Sequence, residues 1–143
     1  MATSLYAIAS VLVHASPQRV WKALTDPEQI RQYLFGTNAK SDWKVGSPIT
    51  YSGEWEGKQY EDKGTIIEIR PNEYLHTTYF SHMSGREDIP ENYANVLYRI
   101  IPSGNDTILT IVQDNNADER SRDHSEGNWN MVLGNLKELV EKR

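Results

Sequence analysis

Apolar and polar positions alternate or recur along the chain in segments that are easy to separate. Leu5 to Val13 is apolar-rich and carries the β-branched Ile8, Val11 and Val13, which predicts a strand. It runs into Ser16-Pro17. Ser16 can cap a helix, and Pro17 fits the first helical position, where its missing N–H would have had no partner. Val20, Trp21 and Leu24 give that helix a short apolar face. Asp26-Pro27-Glu28-Gln29 repeats the device, with Gln three residues after the cap as in a capping box. Ile30, Tyr33 and Leu34 follow at helical spacing, and Gly36 predicts the stop.

From Trp43 to Gln113 the period becomes two. Ile49, Tyr51, Gly53 and Trp55 share one parity, and Glu56-Gly57-Lys58 reads as a hairpin turn. Lys63 to Ile69 carries Thr65, Ile67 and Ile69 on one parity; Ile66 on the other predicts a bulge or a covered outer face. Pro71-Asn72-Glu73 turns the chain into Tyr74 to Phe80. His82 to Glu91 is polar, with Gly85 and Pro90, and reads as a loop. Ala94, Val96, Tyr98 and Ile100 alternate along the next strand. Pro102 to Asp106 then closes a tight hairpin into Thr107 to Gln113. The count is one early strand plus five or six consecutive ones.

Trp129, Val132, Leu133, Leu136, Leu139 and Val140 form a single stripe at helical spacing. This long C-terminal helix begins between Asn116 and Asp123, where two capping boxes compete, each with a Glu three residues on (Glu119 and Glu126). The order predicts one α+β domain over residues 1–143, a helix-grip fold. A curved antiparallel six- to seven-stranded sheet grips the long C-terminal helix, with two short helices after the first strand. A curled sheet and a helix with one apolar stripe touch at their edges first, so a hollow between them is expected.

Val20-Trp21-Lys22-Ala23-Leu24-Thr25-Asp26-Pro27, Gly64 through Pro71, Leu75 with Tyr79, Gly104 with Thr107 and Leu109, and Trp129 with Leu133, Leu136 and Lys137 carry a resemblance over essentially the whole chain. The sequence resembles the START-like superfamily, also called SRPBCC, and within it the group named after activators of the ATPase of heat shock protein 90. The resemblance implies the helix-grip fold and a cavity that commonly holds apolar or amphipathic small molecules. It also implies alternatives, since such members include lipid and hormone binders, polyketide cyclases and co-chaperone domains, and the fold does not choose among them.

Composition narrows the choice. Four Trp and eight Tyr stand against two Phe, so an interior lined by these rings can be apolar and still hydrogen-bond. The net charge of −5 arises wholly in residues 72–143, since residues 1–71 hold eight basic and eight acidic side chains. An acidic chain speaks against a partner tracked by its phosphates, so no nucleic acid is expected. With no cysteine there is no disulfide, thiolate nucleophile or thiolate metal site. Met1-Ala2-Thr3-Ser4 begins no signal peptide and no stretch is long enough to span a membrane, so a cytoplasmic location is expected.

The chemistry is mostly that of binding. No Gly-rich phosphate loop and no G-x-S-x-G elbow occurs. His14, His76, His82 and His124 fall in different elements with no metal-ligand spacing, so neither metal nor cofactor is expected. Glu54, Glu68 and His76 have the parity that points away from the interior. The inward polar candidates Tyr51, Thr77, Tyr79, Tyr98 and Gln113 can orient a ligand but are poor bases near neutral pH, so no catalytic constellation results. The reading is a small-molecule binding protein whose cavity is lined by Tyr51, Trp55, Tyr79, Tyr98, Trp129 and Leu133, with Thr77 and Gln113 as polar anchors. A chaperone-binding module acting through the acidic second half and a cyclase-like enzyme are the alternatives. Leu12, Ile108 and Val112 share the outer face of the sheet and make a homodimer conceivable.

Overall fold

A computed structural model describes residues 5–81 and 85–142. Its strands are β1 (Leu5–Val13), β2 (Asn38–Ser41), β3 (Pro48–Trp55), β4 (Lys58–Arg70), β5 (Tyr74–Tyr79), β6 (Ala94–Ser103) and β7 (Asp106–Asn116). Helices α1 (Pro17–Thr25) and α2 (Pro27–Tyr33) follow β1, and α3 (Glu119–Glu141) follows β7. All seven strands join one antiparallel sheet in the order β1-β7-β6-β5-β4-β3-β2. Strands β2 to β7 are therefore a meander, and the first strand adds beyond the last. This is the expected α+β helix-grip arrangement.

Local chemistry explains the boundaries. Ser16 Oγ accepts from Arg19 N–H at 3.3 Å to start α1. Asp26 ends α1 with its own N–H on the Lys22 carbonyl and starts α2 by accepting from Glu28 N–H at 3.1 Å. Gln29 turns its amide to the Asp26 carboxylate at 3.4 Å rather than to the cap's backbone, and the carboxylate takes the Glu28 N–H instead of that of Gln29, so the expected reciprocal capping box does not form. Helix α3 uses neither of the two caps foreseen. Asp118 Oδ1 accepts from Ser121 N–H at 2.8 Å, and that contact holds the carboxyl below its ordinary range.

Strand β2 was not foreseen: four residues at the sheet edge are too few to show an alternation. Strand β4 starts five residues earlier than its apolar positions indicate. Glu56 (φ 49°) and Gly57 (φ 78°) form a two-residue turn with both residues left-handed. That turn pairs Trp55 with Lys58 at once. The bulge near Ile66 is present, between Ile66 and Glu68. It also corrects a parity, because Ile66 is fully buried whereas Ile67 is 44% exposed. Gly64 is required by a close approach. A Cβ there would lie 1.8 Å from the Thr78 carbonyl oxygen, and backbone cannot yield as a side chain can.

The core lies between the inner sheet face, α1, α2 and α3, around Val13, Val20, Ile30, Leu75, Leu109, Ile111, Leu133, Leu136 and Val140. Val132, Leu133, Leu136 and Val140 of the expected stripe are buried, with Trp129 and Leu139 packed beside them. Helix α3 does not lie evenly across the sheet. It packs chiefly along β1, with fewer contacts to β7 and the two short helices.

Candidate functional site: a tyrosine-lined cavity

Because α3 leans on the β1 side, the part of the sheet from β3 to β6 curls over a gap. The result is a cavity of about 920 Å³, in the size range of small-molecule sites, roughly 300–1,000 Å³. Its inner wall is built from Leu24, Tyr33, Tyr51, Leu75, Tyr98, Ile111, Leu133 and Leu136. Tyr79 and Gln113 line it from β5 and β7, and Trp129 from α3. The Trp129 indole N–H donates to Gln113 Oε1 at 2.8 Å. Its ring meets Tyr98 edge-to-face at 6.1 Å, an arrangement that suits the charge distribution of two aromatic rings.

Tyr79 and Tyr60 carry the side-chain hydrogen bonds of this group of phenols. Tyr79 Oη donates to Asp62 Oδ2 at 2.8 Å, and Tyr51 and Tyr98 lie close enough to influence each other's ionisation. Thr37 Oγ1 and Tyr60 Oη lie 2.5 Å apart. Burial pushes Tyr33, Tyr51, Tyr79 and Tyr98 well above the ordinary tyrosine value of 10.0. For Tyr79 the Asp62 charge and hydrogen bond add to the burial. The interior thus offers neutral hydroxyls that donate and accept, and no phenolate to act as a base.

Charged groups line the cavity too. Helix α3 contributes Arg120, His124 and Asn128, one turn apart on one face, while its acidic Glu119, Asp123 and Glu126 are not in the wall. Arg86 comes from the loop before β6, and Glu54 and Asp62 from the β3–β4 hairpin. Glu54 therefore departs from the expectation that it points away: near the hairpin end it reaches the rim. Among the described residues no three His, Asp or Glu side chains converge on a metal position.

Of the residues picked out in the sequence, Tyr51, Tyr79, Tyr98, Gln113, Trp129 and Leu133 are brought together in the wall. Thr77 is not: it faces inward and is buried, but is covered between its cross-strand partners Ile66 and Val96. The side chain of Trp55, like His82, lies outside the described residues. His76 is on the outer face as expected, with Nε2 2.8 Å from Asn95 Oδ1. Tyr33, Tyr60, Asp62 and Arg120 were missed as wall residues. Extending the Glu56-Gly57 hairpin would have found two of them, since its register sets Tyr60 opposite Gly53 and Asp62 opposite Tyr51.

Comparison with known proteins gives a consistent picture. The sequence model described as "Activator of Hsp90 ATPase homolog 1-like protein" matches residues 14–141. The solution structure of ChR145 from Cytophaga hutchinsonii is 42% identical, with a TM-score of 0.87 over 99% of this chain and 97% of that one. The Aha1 dimer from Colwellia psychrerythraea has a TM-score of 0.74 at 16% identity, covering 96% of each chain. DynU16, a protein of the dynemicin biosynthetic locus, has a TM-score of 0.79 at 17% identity, covering 95% of this chain and 47% of its own. No curated protein matches by sequence.

Proposed function

Given that the chain belongs to the activator of Hsp90 ATPase homolog 1-like family of the START-like (SRPBCC) superfamily, we propose that it binds a small apolar or amphipathic molecule in the cavity between sheet and helix. The observation that carries this reading is the cavity of about 920 Å³ under α3, whose inner wall is apolar apart from tyrosine hydroxyls and the Gln113 amide. Apolar surface moved out of water contributes about 25 cal/mol per Å², so a ligand filling part of this space reaches micromolar affinity without an ion pair. The hydroxyls and the Gln113 amide then select among ligands by the hydrogen bonds left unmade. The test is a thermal-shift screen of lipids, flavonoids and polyketides. A rise in unfolding temperature that saturates with concentration supports the reading, and no shift with any of them rejects it.

A second reading, self-association, is favoured by the outer sheet face. Ile8, Val112 and Leu97 stand side by side across β1, β7 and β6, and Leu12, Ile108 and Ile101 form a second row. Ile8, Leu12 and Ile101 are each more than 40% exposed. The similar protein from Colwellia psychrerythraea is itself a dimer in solution. Light scattering should give a dimer mass that falls to the monomer in an Ile8→Lys, Ile101→Lys double variant. A monomeric wild type ends this reading.

A further inference from the structure

We propose that Phe35 and Met131 are ligand-contact residues, two apolar side chains at the cavity mouth that hold the apolar part of its occupant. This rests on the reading of the cavity as a small-molecule site. Helix α2 ends with Gly36 N–H donating to the Arg31 carbonyl at 2.9 Å, a closure that puts the residue before the donor in the left-handed region. That residue is ordinarily glycine, because a Cβ there crowds the following carbonyl. Here it is Phe35, with φ 52°, and the glycine follows it with φ 79°.

The ring gains little burial in exchange. Phe35 is 58% exposed and is not among the side chains packed on the core. Backbone and hydration both disfavour it, and the core does not enclose the ring. Such a residue at the edge of a cavity points to use rather than to folding. Met131 of α3 repeats the pattern: 49% exposed, beside the buried Val132 and Leu133, and also in the cavity wall. Among the described residues, the other exposed large apolar side chains lie on the outer sheet face or, for Val45, in the loop before β3. Phe35 and Met131 are, among the described residues, the exposed large apolar side chains that line the cavity.

An occupant that covered both would remove their apolar surface from water while its interior end met the Tyr51 and Tyr98 hydroxyls. That describes an uncharged polycyclic or long-chain molecule, apolar toward the rim, with a hydrogen-bonding group at the inner end. The thioether is well suited to the rim, since it adapts its shape to an aromatic or aliphatic neighbour.

The neutral polycyclic probe 1-aminoanthracene, titrated by fluorescence, tests this against two variants. Phe35→Asn keeps a residue that tolerates the left-handed backbone, and Met131→Gln keeps length. The expected result is binding by the wild type and a loss of affinity on the order of tenfold in each variant. The unfolding temperature of Phe35→Asn should equal or exceed that of the wild type. Unchanged affinity in both variants overturns the assignment and leaves the cavity reading intact. A lower unfolding temperature for Phe35→Asn also overturns it, because the ring would then be structural. A wild type that gives no fluorescence change overturns the assignment of an uncharged polycyclic occupant, and the cavity reading then stands or falls with the thermal-shift screen.

Discussion

Four phenols packed against one interior make the alkaline side of the stability curve informative. In the unfolded chain a tyrosine loses its proton near 10.0, whereas Tyr33, Tyr51, Tyr79 and Tyr98 keep theirs to higher pH in the fold. Below 10 both states carry the proton and pH has no leverage through these groups. Above it the unfolded state binds fewer protons than the native one, so stability falls as pH rises. Each such tyrosine contributes at most about 1.4 kcal/mol per pH unit to that fall. Urea midpoints measured on both sides of pH 10 should show the decline, and Tyr98→Phe should make it shallower. An identical slope in the variant would mean that the ring is not held away from water. Tyr51 and Tyr98 were legible in the sequence because parity alone sets them inward. Asp62 and Tyr60 were not, since four polar neighbours hide the strand that carries them until the hairpin register is fixed.

Elements protect one another here. Strand β1 is an edge strand, and its outward backbone groups would pair with any strand that met them. Helix α3 occupies them with side chains. Glu126 Oε2 accepts from Ile8 N–H at 3.4 Å, Lys137 Nζ donates to the Leu12 carbonyl at 2.7 Å, and Glu141 Oε2 accepts from His14 N–H at 2.8 Å. Lys137 and Glu141 also pair across one helical turn at 2.7 Å. The His14 N–H, and after it Lys137, hold the Glu141 carboxyl below its ordinary 4.5. The contact is therefore present at neutral pH and lost as acid carries the solution below 4.5 toward the depressed value. A Lys137→Ala, Glu141→Ala variant should speed hydrogen exchange at the His14 amide several-fold at neutral pH while leaving the β6–β7 amides protected. Unchanged exchange at His14 would show that the edge is covered without these two side chains. The helix stripe that places them was plain in the sequence. The choice of Asp118 as cap was not, because three acceptors within eight residues can each start a helix and packing decides between them.

For the whole molecule, element order and parity were enough to reach the helix-grip arrangement, because a meander with one amphipathic helix has few ways to bury both apolar surfaces. The volume under the helix was not deducible, since it depends on α3 settling toward β1, and no periodicity records that offset. It sets the size of the ligand response. A ligand at about 100 times its dissociation constant stabilises the native state by about 2.7 kcal/mol. In a chain of 143 residues that corresponds to a rise of roughly 8 °C in the unfolding temperature, which is the magnitude expected in the thermal-shift screen.

The pairing of β1 with β7 also bears on synthesis. The first strand of this domain to leave the ribosome has no partner until about a hundred further residues have been made, and its outer edge stays bare until α3 has emerged. Folding of this domain is thereby deferred until its own C-terminal helix has been made. The apolar segment of β1 is the stretch that a nascent-chain chaperone would have to shield in the meantime.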